Sequence, residues 1–562
     1  MNVAEAVGRT LVTLGVRHVF GLLGSGNFVV SNALVEHGAA FTASRHEGGA
    51  ITMADAYARV TGEVGVCTVH QGPGLTNAMT GLTEAAKSRT PLLVLAADTA
   101  AAALRSNFRI EQDQLVRSVG AVPERLYGPA SAIMDTVRAY RRAQTERRAV
   151  VLMLPLDVQA AECPDDGRNV PAPPQVRPAR PAQATILEAA DLLVQAQRPL
   201  IIAGRGAVLA DARVPLEQLA EQLGALLATS ANGNGLFAGN PWSLGISGGF
   251  ASPAAAELIA QADVVLAVGA GLNMWTTRHG RLVGPSTRVI QIDHEADMLG
   301  AHQRVDVAVL GDAGEAVRAL VQEFEHRNPP LSRTGGGRPR AGHSPGWRTE
   351  AVAAQIVGGT WKAAPYEDAS TASQIDPRTL SAALDELLPE DRTLAVDSGH
   401  FMGYPPMYLR VPDAQGFVFT QAFQAVGLGL AGAIGAAIAR PDRLTVAALG
   451  DGGAMMALPE LETVARLRVR MLIVVYNDSA YGAEVHHFGP HGHPLELVQF
   501  PDVDFAALAR AAGLQGATIR RADDVRAVQS WLDNPERPAL LLDAKVVPTV
   551  VAEWLEEAFR GH

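Results

Sequence analysis

The sequence predicts an α/β protein of three domains in series, each built around a parallel sheet. Short apolar runs such as VGVCTVH (64–70) and PLLVLAAD (91–98) alternate with helical stretches such as GGAITMADAYARVTG (48–62), which is the pattern of β-α-β units. Two proline-rich stretches without periodicity interrupt this alternation. The 562 residues, 48% of them hydrophobic, are enough for several cores at roughly 100–200 residues per domain.

The two proline-rich stretches set the predicted domain boundaries. The first domain is predicted over residues 1–162, before the stretch 163–183, which we interpret as an extended linker. The central domain is predicted over residues 184–326, with RPLIIAGRGAV, ADVVLAVGAGL and TRVIQID as candidate strands. After the second linker, 328–346, the third domain is predicted over residues 376–562, with TLAVDSG, LTVAALG, MLIVVYN and ALLLDAK as candidate strands.

Charge and apolar patterns exclude several classes of partner. The formal net charge of −11 is spread without a basic block, which argues against nucleic acid or an anionic membrane. The N-terminus lacks the features of a signal peptide, and the most apolar run, 426–439, is shorter than the roughly 20 residues that span a bilayer. Two cysteines are too few for a disulfide framework. We therefore expect a cytoplasmic protein that acts on small molecules.

The segment GDGGA (450–454) carries the clearest chemical signal. It lies between the predicted strand LTVAALG and the predicted helix PELETVARLR, so its backbone N–H groups lie at a helix N-terminus, where a phosphate is stabilised. Asp451 would repel that phosphate unless a cation lay between them, and oxygen ligands favour Mg²⁺. The next predicted strand ends at the same sheet edge, beside Asn477 and Asp478. By itself, the triplet is equally compatible with a purely structural turn.

The GDG triplet together with YNDSAYG (476–482) resembles the hallmark of the thiamine-diphosphate-dependent enzymes of the acetolactate synthase, pyruvate oxidase and 2-oxoacid decarboxylase superfamily. The resemblance covers all three domains and implies a pyrimidine-binding, a central and a diphosphate-binding domain. It implies thiamine diphosphate and a Mg²⁺ ion held by Asp451, Asp478 and the Ala480 carbonyl. Asp478 replaces the family's usual asparagine. Asn477 is the alternative ligand, and the register favours Asp478.

The resemblance implies further cofactor contacts in the third domain. TQAFQAVGLGLAG (420–432) resembles the segment that holds the cofactor in a V shape, with Val426 as an apolar wedge and the Gln424 carbonyl accepting from the amino group; a plain packing helix is the alternative. DSGHF (397–401) resembles a loop near the diphosphate. The implied contacts are Gly399, His400, Gln424, Val426, Asp451, Gly452, Gly453, Ala454, Asp478, Ala480, Tyr481 and Gly482.

In the first domain, the resemblance makes Glu47, in SRHEGGAITMADAYAR, the glutamate that shares a proton with the pyrimidine N1′ of the cofactor. The alternative for Glu47 is a helix cap. VCTVHQGPGLTNAMTG resembles the loop that places Pro73 and Asn77 in the pyrimidine pocket. Because the family's glutamate and diphosphate site come from opposite subunits, the resemblance also implies a homodimer at least, and a homotetramer as the expected assembly.

Three further residues are candidate catalytic groups. Related decarboxylases have a proton-transferring histidine at the position of His70, and Gln71 is adjacent to it; a buried structural histidine is the alternative. Glu484, in YGAE, occupies a position where several family members carry an acid, although a solvated helix residue fits equally well. The segment HHFGPHGH holds four histidines, but glycine and proline break the geometry that a helical zinc site needs.

The choice of substrate is the finest prediction. VGAGLNMWTTRHG (268–280) resembles a stretch of oxalyl-CoA decarboxylases and 2-hydroxyacyl-CoA lyases, so Arg278, His279 and Arg281 are candidate phosphate contacts of ADP or CoA; a solvated basic turn is the alternative. We therefore expect a 2-hydroxyacyl-CoA lyase-like enzyme, which splits a 2-hydroxyacyl-CoA into an aldehyde or ketone and formyl-CoA, or runs in reverse. The alternatives are an acetolactate synthase-type carboligase or decarboxylase of 2-oxo acids, and a non-catalytic cofactor-binding subunit.

Overall fold

A computed structural model describes residues 1–164, 170, 176–327, 347–534 and 536–560. The linker 328–346 lies outside the described residues, as does most of the stretch 165–175. Three six-stranded sheets follow one another along the chain, and all strand pairs within them are parallel. This confirms the predicted fold class of three α/β domains with parallel sheets. The boundaries between the domains stay a prediction.

The first sheet has the order β2-β1-β3-β4-β6-β5. Its strands are β1 (His18–Gly21), β2 (Ala40–Ala43), β3 (Gly65–Val69), β4 (Leu92–Asp98), β5 (Val122–Arg125) and β6 (Ala149–Pro155). Its helices are Val3–Thr13, Phe28–Glu36, Glu47–Thr61, Pro73–Asn77, Met79–Lys87, Gln112–Ser118, Ala132–Glu146 and Leu156–Ala160. The strands β3, β4 and β6 are buried at every position, as expected for a parallel sheet covered on both faces.

The central sheet has the order β12-β11-β10-β7-β8-β9, so the order reverses between β7 and β10. Its strands are β7 (Pro199–Ala203), β8 (Leu226–Thr229), β9 (Ser243–Ile246), β10 (Val264–Val268), β11 (Arg288–Asp293) and β12 (Val307–Leu310). Its helices, with short 3₁₀ turns at Ala231–Gly233 and Ala296–Met298, are Gln183–Val194, Arg205–Leu209, Arg213–Leu223, Pro253–Ala260, Met274–Thr277 and Ala313–Arg327. The helix Glu350–Gly358 follows the second linker.

The third sheet, with the order β14-β13-β15-β16-β18-β17, repeats the topology of the first. Its strands are β13 (Arg392–Val396), β14 (Phe417–Phe419), β15 (Leu444–Gly450), β16 (Met471–Asn477), β17 (Gln515–Ile519) and β18 (Leu540–Lys545). Its α-helices are Pro377–Leu387, Tyr404–Tyr408, Gly429–Ala439, Asp451–Met456, Glu460–Leu467, Gly482–Phe488, Phe505–Ala511, Arg526–Leu532 and Trp554–Ala558. Short 3₁₀ turns are His400–Gly403, Ala414–Gly416, Gly489–His491 and Ala522–Val525.

The first and third domains share one hydrophobic core. The helix Glu47–Thr61 packs along the helix Gly429–Ala439, which buries most of the apolar run 426–439. Gly435 permits the contact, because a Cβ atom there would lie 2.1 Å from the Met53 carbonyl oxygen. In the described residues, no helix is both long and apolar enough to cross a membrane.

A buried glutamate of the third domain holds the segment just before Glu47. The carboxylate of Glu460 accepts hydrogen bonds from the backbone N–H groups of Arg45 and His46, at 3.0 and 3.1 Å. The side chain of Arg45 also pairs with Glu462, at 2.6 Å. The position of Glu47 therefore depends on both domains.

Candidate active site

Two carboxyl groups meet where β15 and β16 end. Gly450 pairs with Tyr476 in the parallel register, so Asp451 and Asp478 begin the segments that follow these two strands. Their carboxyl groups lie close enough for the charge of one to act on the other. Burial raises the pKa of Asp451, and burial together with the Asp451 charge raises the pKa of Asp478. A divalent cation between the two groups would relieve this repulsion.

The neighbouring Asn477 faces a different set of partners. Its Nδ2 donates to Asp543 Oδ1 at 3.0 Å, and its Oδ1 accepts from the backbone N–H of Ser479 at 3.1 Å. These bonds hold the turn after β16 and leave Asp478 on the side of Asp451. Since the described residues contain no group of three or more His, Cys, Asp or Glu side chains arranged for a metal, a cation here would also need ligands such as the Ala480 carbonyl.

Glycines allow neighbouring side chains to approach this turn closely. A Cβ atom at Gly453 would lie 2.2 Å from Asp397 Oδ2, and one at Gly482 would lie 2.4 Å from Asp478 Oδ2. A Cβ atom at Gly452 would lie 2.9 Å from the ring of Tyr481, which packs against Phe500. The absence of a Cβ atom at these three positions therefore lets the side chains of Asp397, Asp478 and Tyr481 pack directly against the turn.

Asp397 is a residue of the site that the sequence analysis did not single out. It follows β13, is fully buried, and its carboxylate accepts from the backbone N–H groups of Ser398, Gly427 and Leu428 at 2.8, 3.1 and 3.2 Å. Burial raises the pKa of Asp397 to about 6. An acid directly after a buried strand was the only signal for this role in the sequence. Its effect is to hold the loop that precedes the helix Gly429–Ala439.

That loop presents the predicted wedge. Gln424 has a left-handed φ of 59°, which is uncommon for a residue other than glycine. Val426 is 40% exposed, and its Cγ1 lies 3.4 Å from the Cβ position of Gly453. An apolar side chain thus stands exposed next to the glycine turn.

His400 binds the C-terminal segment. Its buried ring accepts a hydrogen bond at Nε2 from the backbone N–H of Ala552, at 2.9 Å, and burial lowers the pKa of His400 to about 3. Trp554 Nε1 donates to the His400 carbonyl at 3.2 Å. The preceding residue, Gly399, has a φ of 137°, which favours glycine. The predicted loop 397–401 therefore joins the glycine turn to the end of the chain.

In the first domain, Glu47 and Asn77 lie together as the sequence analysis expects. Glu47 is only 6% exposed, and its Oε2 accepts from Asn77 Nδ2 at 3.1 Å. The cap of the helix Glu47–Thr61 is His46, whose Nδ1 accepts from the Gly48 N–H at 3.0 Å. Pro73 begins the short helix that ends at Asn77. The carboxylate of Glu47 is thus free of the capping role.

His70 and Gln71 follow β3 and face the segment around Gly26. His70 Nδ1 accepts from the Gly26 N–H at 3.1 Å, and burial lowers the pKa of His70. The proton of the neutral ring then lies on Nε2. Gln71 is buried, and its Oε1 has no hydrogen-bond partner in the described part of the chain. Such an acceptor is available for a ligand.

Glu484 lies in the first turn of the helix Gly482–Phe488 and is exposed to solvent. Within the described ranges, no hydrogen bond joins Glu484 or Asp451 to Glu47 or His70. The chain therefore carries its candidate residues in two groups, one in the first domain and one in the third.

Three family models match the chain in the order of its three sheets. They describe the thiamine pyrophosphate enzyme N-terminal TPP binding domain (residues 1–116), central domain (186–320) and C-terminal TPP binding domain (397–541). An acetolactate synthase large subunit of Parasynechococcus marenigrum (strain WH8102) is 30% identical over 84% of this chain and 76% of that protein. The chain belongs to the thiamine pyrophosphate enzyme family.

Other members of this family are similar over nearly the whole chain. The sulfoacetaldehyde acetyltransferase of Alcaligenes xylosoxydans xylosoxydans is 29% identical over 95% of this chain and 90% of that protein. A probable acetolactate synthase large subunit of Methanococcus aeolicus is 25% identical over 96% of this chain and 91% of that protein. The chain is thus an enzyme of the carbon–carbon bond transferase or lyase type, with domains that bind thiamine pyrophosphate, the compound also called thiamine diphosphate.

The central domain of this thiamine pyrophosphate enzyme does not support the predicted ADP or CoA contacts. Arg278 donates to the Gly248 and Ala251 carbonyls, at 3.0 and 2.9 Å. His279 Nε2 contacts the Glu557 carbonyl at 2.8 Å, and Arg281 pairs with the Glu557 carboxylate. These basic groups bind local backbone and the C-terminal helix, and the prediction that they contact the phosphates of ADP or CoA is not supported.

A cavity of about 880 Å³ lies between the central and third domains of the enzyme. Aromatic side chains of Phe250, Trp275 and Trp554 line it, and it reaches Gln421 and Gln424 of the loop that carries Val426. The C-terminal helix thus contributes Trp554 to a cavity beside the loop that carries Gln424.

Proposed function

We propose that this enzyme is a Mg²⁺-dependent carboligase or acyl-group transferase of the acetolactate synthase and sulfoacetaldehyde acetyltransferase type, acting on small 2-oxo acids or aldehydes. The observation that carries the proposal is the similarity to both groups of enzymes over almost the full length of the chain. None of the relatives described above bears the name of a 2-hydroxyacyl-CoA lyase. Arg278, His279 and Arg281 already bind groups of the protein itself. This also argues against a 2-hydroxyacyl-CoA lyase, the function that the sequence analysis favoured.

The residues of the third domain fit a metal–diphosphate group. Asp451 and Asp478 bring two carboxyl groups together at the ends of β15 and β16, and with the Ala480 carbonyl they would hold Mg²⁺. The backbone N–H groups of the glycine turn would bind the diphosphate, and the exposed side chain of Val426 would support the cofactor from one side. The proposed contacts of the cofactor in this domain are Gly399, His400, Gln424, Val426, Asp451, Gly452, Gly453, Ala454, Asp478, Ala480, Tyr481 and Gly482.

When bound, thiamine diphosphate supplies a carbanion that adds to a carbonyl carbon and stabilises the charge left by cleavage of the adjacent C–C bond. In our proposal, Glu47 holds a proton at the pyrimidine nitrogen, and Asn77 orients the Glu47 carboxylate through the 3.1 Å hydrogen bond. His70 donates from Nε2 to the substrate oxygen, because its Nδ1 is already engaged by Gly26. Gln71 offers its unpartnered Oε1, and Pro73 lines the same pocket.

Glu484 would serve at the entrance of the site. It is exposed one helical turn beyond the Asp478 segment, where it can exchange protons with solvent and with a bound product. Its exposure argues against a role at the reacting carbon itself in a single chain.

We also propose that the complete site needs a second copy of the chain, in a homodimer or in a homotetramer built from it. Within the described part of one chain, no hydrogen bond joins the candidate residues of the first domain to those of the third. In addition, apolar side chains around the glycine turn are exposed. Met455 and Met456 are 46% and 58% exposed, and Phe423 is 43% exposed. A partner that brings its own Glu47 to this surface would cover these side chains and exclude water.

Turnover with defined substrates tests the proposal. The purified protein, supplied with thiamine diphosphate and Mg²⁺, is incubated with pyruvate alone, with pyruvate plus a second 2-oxo acid, with sulfoacetaldehyde, and with a 2-hydroxyacyl-CoA. We expect product from one of the first three, measured as released CO₂ or as the new carbonyl product by mass spectrometry. Turnover of the acyl-CoA alone would restore the lyase. Cofactor binding without exchange of its C2 proton would indicate a non-catalytic subunit.

A further inference from the structure

The wedge loop, residues 420–427, is held by carboxylates from two different domains. It connects β14 to the helix Gly429–Ala439 and carries both Gln424 and Val426. Two of its backbone N–H groups, those of Phe423 and Gly427, donate hydrogen bonds to side chains. Both acceptors are buried side-chain carboxylates.

The first acceptor is Glu84 of the first domain. Glu84 is 1% exposed, and its Oε2 accepts from the Phe423 N–H at 2.7 Å. Its Oε1 accepts from Arg59 Nη2 at 2.8 Å and from Ser88 Oγ at 3.0 Å. Both oxygen atoms of the carboxylate are therefore used, one toward the loop and one toward its own domain.

Arg59 provides a second connection between the first domain and the entry to the wedge loop. Its Nη1 donates to the Phe419 carbonyl, at the end of β14, at 3.0 Å, and its Nε donates to Asp55 at 2.9 Å. Arg59 lies near the end of the helix that begins with Glu47. The entry to the loop is thus attached to the same rigid helix that presents the candidate catalytic glutamate.

The second acceptor is Asp397, which binds the other end of the loop. Both of its oxygen atoms lie 3.1 Å from the Gly427 nitrogen, and Oδ1 also accepts from the Leu428 N–H at 3.2 Å. Between the two anchors lie Gln424, in its left-handed conformation, and Val426. An unusual backbone conformation persists only where its surroundings hold it.

We infer that Glu84 and Asp397 are positioning residues for the reaction: they hold the loop so that the Gln424 carbonyl and Val426 face the cofactor. This inference rests on the proposed function, since it takes these two groups to contact the cofactor. Neither carboxylate touches the reacting atoms. Each supplies an acceptor that the loop itself lacks, and a displacement of about 1 Å at the loop is enough to slow catalysis on the order of 100-fold.

The test compares Glu84→Gln with Asp135→Asn. Asp135 is a matched control, because it is a buried first-domain carboxylate that accepts from one backbone N–H, that of Tyr127 at 3.0 Å, and pairs with one arginine, Arg138 at 2.8 Å. Three measurements are made on the full-length protein. They are amide exchange of the peptide 420–428 by mass spectrometry, the affinity for thiamine diphosphate with Mg²⁺ by calorimetry, and kcat and KM with the substrate that the turnover experiment identifies.

For Glu84→Gln we expect amide exchange of the loop peptide to accelerate about tenfold or more, cofactor affinity to fall about tenfold, and kcat to fall on the order of 10–100-fold with KM nearly unchanged. For Asp135→Asn we expect none of these changes, even if its melting temperature falls as far. Equal behaviour of the two variants, or faster exchange with unchanged cofactor affinity and kcat, would overturn the inference.

Asp397→Asn provides an independent second variant, with the same expected changes, if Glu84→Gln does not fold. Because the two carboxylates hold the same loop, the double variant should lose less cofactor affinity than the sum of the losses of the two single variants, expressed as free energies. Failure of the proposed function is recognised separately: a wild-type protein that turns over none of the substrates would end that proposal, while loop exchange and cofactor affinity would still decide the role of Glu84.

Discussion

The carboxyl groups of Asp451 and Asp478 lie next to each other at the ends of the neighbouring strands β15 and β16, although both are partly buried and carry like charge when ionised. In water-excluded surroundings two such carboxylates do not both ionise without a neighbouring cation. A single cation would therefore interact with both the glycine turn after β15 and the turn after β16.

Replacement of Asp451 should remove the cation. For Asp451→Asn we expect the affinity for thiamine diphosphate in the presence of Mg²⁺ to fall on the order of 100-fold, because a charged ligand is lost. Asp478→Asn should weaken it by no more than about tenfold, because it introduces the asparagine that is usual at this position in the family, whose amide oxygen also binds Mg²⁺ beside the retained Asp451 carboxylate. Calorimetry with and without EDTA measures both. Unchanged affinity in Asp451→Asn would place the cation elsewhere.

Replacement of Glu47 should affect chemistry more than binding. We expect Glu47→Gln to lower kcat on the order of 10²–10⁴-fold, because an amide cannot exchange a proton with the pyrimidine nitrogen. Cofactor affinity should change much less. Glu36→Gln, an exposed carboxylate of the same domain, serves as the control and should leave kcat unchanged. A Glu47→Gln enzyme that keeps full kcat would exclude Glu47 as the proton-holding group.

Mixing two inactive variants tests whether the site is shared between subunits. In a heterodimer of Glu47→Gln and Asp451→Asn chains, one of the two sites contains both intact residues if they come from different chains. After co-refolding at equal concentrations, we expect about one quarter of the wild-type activity. Each variant alone gives the baseline. A mixture no more active than that baseline would show that both residues of a site belong to one chain.

His18 should make the protein sensitive to acid. Burial lowers the pKa of His18 to about 4, and its Nε2 lies 2.8 Å from Thr42 Oγ1. The folded state therefore prefers the neutral ring, so its contribution to stability is complete above the usual pKa of about 6.5 and is lost as the pH falls toward 4. The loss amounts to at most about 3 kcal/mol.

Denaturant unfolding between pH 7 and pH 4 measures this effect. His18→Gln should show a smaller loss of stability over the range, because a glutamine does not titrate. His326→Gln, at an exposed position, should follow the wild type. If all three proteins lose the same free energy of unfolding, His18 is not responsible.

Asp385 should contribute strongly to the stability of the third domain. Its side chain is fully buried and pairs with the buried Arg392 and with Lys362, the latter at 2.8 Å. We expect Asp385→Asn to lower the free energy of unfolding by about 3–5 kcal/mol, since it leaves a buried arginine without its partner. Asp442→Asn removes an exposed pair with Arg440 and should have no measurable effect. Equal midpoints of unfolding for the two variants would contradict the prediction.

Local patterns in the sequence predicted the fold class and the strand ends at which the candidate site residues lie. Buried parallel strands are continuous apolar runs, and LTVAALG, MLIVVYN and VGVCTVH are indeed β15, β16 and β3. GDGG and YNDSAYG lie at the ends of two adjacent strands, so their meeting at one sheet edge was predictable. Glu47 and Asn77, both expected at the pyrimidine pocket, are joined by a hydrogen bond, and their contact with the cofactor stays a prediction.

The partners of charged side chains were not predictable in this way. The basic residues Arg278, His279 and Arg281 suggested a phosphate site, but two of them bind the C-terminal helix, and the contact between His279 and Glu557 spans 278 positions. Glu84 and Phe423 are 339 positions apart. Nothing in the segment around Glu84 marks it as an anchor of the wedge loop.

The sequence by itself determined the three sheets, the glycine turn and the two acidic residues beside it, because strand burial and turn formation depend on neighbouring residues. Only the tertiary structure decided which polar groups are available and which are already bound: Asn477 holds its own turn, Asp478 faces Asp451, and Asp397 holds the wedge loop. The reason is that a buried polar group takes whichever partner the packing of distant segments brings within hydrogen-bonding distance.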